Sequence, residues 1–207
     1  ALARRHAGYL SRTGIHNLSI LAVETSTGRV RAYVGSPDFF DRSNGGQVDG
    51  VMASRSTGSL LKPFLYATAF DRGVIHPDSL LRDVPVYFGS YAPVNADRKF
   101  SGMVRASDAL VRSLNVPPTL LLREIGVAEF HHFLKMAGMR TLFRSPDGYG
   151  LSLILGGAEG TLWDMVRLFR GLASDGRFSG LTLLADEPPE DGPQLLSPAA
   201  ARLTMEI

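Results

Sequence analysis

Gly58-Ser59-Leu60-Leu61-Lys62-Pro63-Phe64 holds the only Ser-x-x-Lys in the chain. Residues three apart share one face of a helix, so Ser59 and Lys62 would lie one turn from each other. A serine hydroxyl is a poor nucleophile until a neighbouring base takes its proton. A lysine can be that base only when burial or nearby positive charge lowers its pKa. Leu60, Leu61, Phe64 and Leu65 offer the burial, Gly58 leaves room for another backbone beside Ser59, and Pro63 fits a first helical turn, where its missing N–H is not needed. A plainer reading competes: Ser59 as a helix N-cap and Lys62 as a solvated first-turn residue. The motif alone does not decide between them.

Around this stretch, 207 residues suit one domain or most of one. A hydrophobic fraction of 44% fits a chain with a sizeable core. The net charge is only +2, and the arginines that dominate the basic residues are scattered. A nucleic-acid surface is therefore not indicated. The chain has no cysteine, which excludes disulfides and cysteine metal sites. No apolar run is long enough to cross a membrane, and no signal peptide is visible. No cofactor or metal is expected.

Before the motif, residues 1–11 read as a short basic helix. Asn17–Glu24 and Val30–Gly35 alternate as two strands of a hairpin around Thr25-Ser26-Thr27-Gly28. Both of its faces carry apolar side chains, so helices are expected on both sides. Ser36–Gly50 reads as a loop. After the motif, the Ser59 helix is expected to run to about Arg72, with Gly73 as its stop. His76–Gly102 shows little periodicity and is expected to be a long surface excursion; such length suggests function. Arg105–Leu114 reads as a helix, and Pro117-Pro118 opens the next, through about Glu124. Val127–Ala137 is a further helix, and Gly148–Gly157 mixes glycines with apolar residues. Thr161-Leu162-Trp163-Asp164 resembles a capping box opening a helix to Ala173. Leu183–Leu195 is rich in proline and acid and expected to be mobile, and Ser197-Pro198 starts a last helix.

Ser113-Leu114-Asn115 is the only Ser-x-Asn, placed at a helix-to-helix corner. A Ser-x-x-Lys followed by a Ser-x-Asn is the order found in penicillin-binding proteins and serine β-lactamases, where the middle residue of the second motif is given as aspartate rather than leucine. The resemblance extends further. VETSTGRVRAYVGSPDF, RSTGSLLKPFLYA, DVPVYFGSYAPVN, ALVRSLNVPP and LSLILGGAEGTL follow in order between about Leu18 and Leu172. The chain resembles the transpeptidase domain of bifunctional class A penicillin-binding proteins.

This resemblance implies an α+β fold of the serine β-lactamase type, with an antiparallel sheet between helices. It implies that residues 1–207 are part of such a domain. The implied chemistry is D,D-transpeptidation of peptidoglycan stem peptides on the periplasmic face of the bacterial inner membrane, with β-lactams acylating the same serine. Ser59 would be the nucleophile, Lys62 its base, Ser113 a proton relay, Asn115 a hydrogen-bonding positioner, and Gly58, Gly156 and Gly157 would border the substrate. Gly156 and Gly157 are equally compatible with a tight turn. Glu159 is expected to assist the Thr161 cap, Trp163 to lie in the core, and His131 and His132 to be packing or surface residues. Asn95 carries no assigned role.

Two departures stand out. Thr57 takes the place where the family more often has proline, and the Lys-Thr-Gly motif of the family is not found. Set against the resemblance, the absence of Lys-Thr-Gly, and of the family's upstream glycosyltransferase domain and membrane anchor, leads to the expectation of a fragment incomplete at its C-terminus, with an open hairpin edge that could drive self-association and with weak acylation by β-lactams. A water-using carboxypeptidase or β-lactamase, and a non-catalytic module keeping part of the fold, remain as alternatives.

Overall fold

Buried apolar side chains gather around the helix that follows Ser59. The computed structural model describes residues 2–89, 91–184 and 190–207. Helix α2 (Lys62–Asp71) is buried almost all round: Lys62, Phe64, Leu65, Tyr66, Ala67, Thr68, Ala69 and Phe70 are all removed from solvent. A helix without a polar face belongs in the centre of a domain. It begins at Lys62 rather than Ser59, because residues 58–61 form a tight turn in which the Lys62 N–H donates to the Ser59 carbonyl at 3.1 Å. Leu60, expected to help bury Lys62, faces outward at 47% exposure.

The chain before this helix contributes α1 (Leu2–Leu10) and an antiparallel hairpin, β1 (Ile20–Val23) and β2 (Val30–Val34), shorter than the alternation implied. None of the hairpin's strand residues is fully buried, so the expected covering on both faces is not provided by the described residues. Strand β3 (Arg55–Ser56) leads into the Ser59 turn.

After α2, the stretch read as a surface excursion contains strand β4 (Leu80–Asp83), which pairs antiparallel with β5 (Gly102–Arg105). It also buries Asp83 and Asn95, so it is partly an interior segment. Helix α3 (Ala106–Val111) and helix α4 (Val116–Ile125) meet at the Ser113-Leu114-Asn115 corner. Pro117 falls in the first turn of α4, where its lacking N–H is harmless. Helix α5 (Val127–Met136) packs on α4. Helix α6 (Pro146–Tyr149) runs into a 3₁₀ segment, Gly150–Leu155, that supplies Leu153 and Ile154 to the core.

Strand β6 (Glu159–Gly160) returns to pair with β3. Helix α7 (Leu162–Ala173) opens on a true capping box: Thr161 Oγ1 accepts from the Asp164 N–H at 3.0 Å, and Asp164 accepts from the Thr161 N–H. Glu159 takes no part in it; its carbonyl accepts from Thr141 instead. Trp163 is half-buried rather than in the core. Helix α8 (Pro198–Met205) packs on α2 and α7, and the Ser197 N–H donates to Asp71 at 2.9 Å. Residues 185–189, within the stretch expected to be mobile, lie outside the described residues. The result is a mixed α and β chain in which, among the described residues, helices enclose a core and the strands form three small antiparallel pairs.

Candidate active site

Lys62 is the least ordinary residue of the core. It is a lysine at 1% exposure. Burial penalises its charged form and pushes its pKa down to about 8. Its amine reaches three oxygens: the Ser113 carbonyl at 2.8 Å, the Ser113 hydroxyl at 3.2 Å and Asn115 Oδ1 at 2.8 Å. A neutral amine has two N–H donors and one lone pair. The carbonyl and the amide oxygen can only accept, so in the neutral form they take the two donors and leave the lone pair for the Ser113 hydroxyl. The solvated first-turn reading of Lys62 is thereby ruled out.

Ser59 lies at the surface, on the turn just ahead of α2. It is not the N-cap; Leu61 holds that position, without a side-chain capping bond. Among the described residues neither the Ser59 hydroxyl nor its N–H has a hydrogen-bond partner. No bond joins the Ser59 hydroxyl to the Lys62 amine, which is turned to the second motif. Such contacts are often loose before a substrate binds. Among the described residues the Ser59 hydroxyl and N–H are thus both uncommitted, the two groups an acylating serine uses.

The Ser59 turn is held from behind. The Ser56 hydroxyl donates to the Gly156 carbonyl at 2.8 Å and accepts from the Gly58 N–H at 3.2 Å. Gly58 has φ +53, and a side chain there would meet open space. Its glycine is demanded by backbone conformation, with room in front as well. Gly156 is a different case: at φ +90, a Cβ would come within 2.7 Å of Ser56 Oγ and 3.0 Å of Gly58 Cα. Gly156 thus backs the nucleophile turn directly. Gly157 does not approach it; its packing is against Ser152, to whose carbonyl its N–H donates at 2.8 Å. Thr57, which replaces the proline more usual in the resembling family, donates its N–H to Ala158 O at 3.0 Å. A proline could not make that bond.

The second motif is shaped by how α3 ends. The Ser113 N–H donates to Leu110 O and the Leu114 N–H to Ala109 O, the paired bonds of a Schellman motif. Such an ending needs a left-handed residue after the cap, and Ser113 supplies it at φ +53. Leu114, in place of aspartate, is buried at the next position and anchors the corner in the core. Asn115 stands where an N-cap would be for α4, yet it makes no capping bond. Its Nδ2 donates to Val94 O at 2.7 Å, which turns Oδ1 toward Lys62.

Asn95 and Asp83 complete the arrangement, and sequence reasoning missed both contributions. Asn95 Oδ1 accepts from the Asn115 N–H at 2.8 Å. Its Nδ2 donates to Asp83 Oδ1 and to Lys99 O, each at 2.8 Å. Their one signal in the sequence was that they begin and end DVPVYFGSYAPVN, a stretch resembling the family. His131 is buried beside Tyr149 with a ring nitrogen 3.2 Å from Arg144 O, remote from this cluster. Among the described residues no group of His, Asp and Glu is placed to hold a metal, and no helix is long and apolar enough to cross a membrane.

With this geometry the chain can be compared with known proteins. A model of the transpeptidase family, described as the penicillin binding protein transpeptidase domain, matches residues 18–205. The chain is 42% identical over 184 residues to penicillin-binding protein 1C of Escherichia coli (strain K12), covering 89% of this chain and 24% of that protein. It is 32% identical over 177 residues to penicillin-binding protein 1F of Bacillus subtilis (strain 168), covering 84% of this chain and 24% of that protein. The chain thus spans about a quarter of the length of these curated relatives. The apo structure of the TP domain from Burkholderia pseudomallei penicillin-binding protein 3 superposes with a TM-score of 0.81, over 99% of this chain and 66% of that one. At 16% identity this match shows a shared fold.

Proposed function

Since the chain belongs to the penicillin-binding protein transpeptidase family, we propose that it carries the acyl-transfer site of a peptidoglycan D,D-transpeptidase. The observation that carries the proposal is the buried amine of Lys62, held by Ser113 and Asn115, three residues after a serine whose hydroxyl has no partner among the described residues. Ser59 Oγ attacks the carbonyl of the penultimate D-alanine of a stem peptide, and its proton passes to neutral Lys62. The developing oxyanion is met by the Ser59 N–H. The C–N bond to the terminal D-alanine then breaks. The leaving nitrogen regains a proton from Lys62 by way of the Ser113 hydroxyl, which lies 3.2 Å from the amine. An ester on Ser59 remains. An amine from a second stem peptide attacks it, reversing the proton path and restoring the serine. A β-lactam, whose strained amide resembles D-alanyl-D-alanine, forms the same ester without a departing fragment.

Site roles for Gly58 and Gly156 follow from shape: Gly58 opens the space ahead of Ser59, and Gly156 supports the turn. Gly157 serves the fold of the turn behind them. The chemistry places the domain on the periplasmic side of the inner membrane, where its substrate lies. Among the described residues no carboxylate bonds to Lys62, Ser113 or Asn115. The test is penicillin labelling of the full-length protein followed by peptide mass spectrometry. One penicilloyl group is expected on the peptide holding Ser59, and none on Ser59→Ala. Equal labelling of Ser59→Ala would overturn the assignment.

A further inference from the structure

We infer that Asp83 and Asn95 are positioning residues for the Lys62 amine, acting through Asn115; the inference rests on the acyl-transfer reading above. Asp83 is a fully buried carboxylate, and among the described residues no cation pairs with it. Its oxygens accept instead from neutral donors, Oδ1 from Asn95 Nδ2 and Oδ2 from the Ser101 N–H, each at 2.8 Å. A buried charge held only by neutral donors is a costly arrangement. What it achieves is direction. A carboxylate can only accept, so it forces the NH₂ end of the Asn95 amide toward itself. The Lys99 carbonyl, at 2.8 Å from the same nitrogen, reinforces that choice.

With Nδ2 committed, Asn95 Oδ1 must face the other way, where it accepts from the Asn115 N–H at 2.8 Å. The neighbouring Val94 carbonyl then takes Asn115 Nδ2 at 2.7 Å. One short segment thus grips Asn115 by its backbone and its side chain together. The amide of Asn115 is left with its oxygen toward Lys62 at 2.8 Å. Two side-chain amides are therefore oriented in series, starting from Asp83 and ending at the amine. Reversal of either would present an NH₂ group to Lys62 or to the Asn115 N–H, a donor against a donor. Asn95 is itself 3% exposed, so solvent offers it no alternative partner.

The account makes a swap of the two side chains informative. Asn95→Asp sets two carboxylates against each other, whereas Asn95→Asp with Asp83→Asn restores a donor and an acceptor at that contact and keeps an oxygen for the Asn115 N–H. The measurement is stopped-flow acylation of the full-length protein by a chromogenic β-lactam, which yields a rate constant and, separately, an amplitude that counts competent sites. Asn95→Asp is expected to acylate at least about tenfold more slowly with its amplitude retained, and the double swap to recover part of that loss but not all, because the Lys99 carbonyl then faces an acceptor. Asp83→Asn, which adds no charge, covers the case in which Asn95→Asp fails to fold; it too is expected to lower the rate constant at full amplitude. A loss confined to amplitude and melting temperature, with an unchanged rate constant, would make the pair merely structural and overturn the inference. So would a folded swap no faster than Asn95→Asp. If wild type itself is not acylated at Ser59, the acyl-transfer reading fails and takes this inference with it. Wild-type rates in labelled variants would sink the inference alone.

Discussion

Helices α2 and α3 end with the same hydrogen bonds and different residues. After α2, the Gly73 N–H donates to Phe70 O and the Val74 N–H to Ala69 O. After α3, the Ser113 N–H donates to Leu110 O and the Leu114 N–H to Ala109 O. Both endings require a left-handed residue, at φ +64 for Gly73 and φ +53 for Ser113. Glycine adopts that conformation freely, whereas an L-residue there costs roughly 1–2 kcal/mol. The Gly73 ending touches no chemistry. At Ser113 the hydroxyl and the carbonyl both meet Lys62. Where the same backbone ending serves the proposed active site, local strain is accepted in exchange for a hydroxyl beside the amine, the carbonyl being common to either residue.

The largest effect that would bear on this contrast lies at the group both oxygens serve. Lys62→Arg keeps the charge but cannot become a neutral base. Acylation of Ser59 is expected to fall about 10²–10⁴-fold, the usual range for lost general-base catalysis, as measured by labelling kinetics. Near-normal acylation by this variant would remove Lys62 from the mechanism and leave the strain at Ser113 without a purpose.

A smaller effect separates the two helix endings directly. Ser113→Gly relieves the left-handed strain and deletes the hydroxyl, while preserving the carbonyl. Thermal unfolding is expected to show stability unchanged or higher by up to about 1 kcal/mol, together with slower acylation. The opposite pattern is expected of Gly73→Ala. A Cβ there would meet nothing within 4 Å, so its cost is conformational alone, about 1 kcal/mol, and acylation should not change. If Ser113→Gly lost stability and kept its rate, the serine would be a structural choice and the contrast would collapse.

Much of this site could be read before the fold was seen. Ser59 and Lys62 lie three apart, and Ser113 and Asn115 two apart, so local spacing alone groups each pair. What joins the pairs is a lysine side chain crossing from α2 to the corner after α3, which no local spacing reveals. The contribution of Asp83 and Asn95 was hidden for another reason. They sit in a stretch with little periodicity, and their burial comes from polar bonds rather than an apolar stripe, so it leaves no pattern along the chain. Strands β3 and β6 are two residues each and about a hundred residues apart; alternation cannot be seen over so short a span. The start of α2 was displaced because a 58–61 turn and a helical first turn have the same composition. The exposure of Leu60 follows from that turn. The capping box at Thr161, by contrast, is made of neighbours three apart and was legible apart from the part wrongly expected of Glu159.

The titration of Lys62 tests the central claim, that a buried neutral amine serves Ser59, most directly. Its pKa in the fold, about 8, lies below the ordinary 10.5 because burial disfavours the charge. Below pH 8 the folded and unfolded chains both hold the proton, and the folded state bears the full penalty of the buried charge. Between about 8 and 10.5 the unfolded chain holds more of the proton, so this residue's contribution to stability rises with pH across that window. The same ionisation governs the base: at pH 7 roughly a tenth of the chains carry it neutral. The measurement is the rate constant for β-lactam acylation of Ser59 in the full-length protein from pH 6 to pH 10. It is expected to climb about tenfold per pH unit below 8 and to level off above it, as one ionisation requires. A rate that is flat across this range, or that rises only above pH 10, would contradict the account.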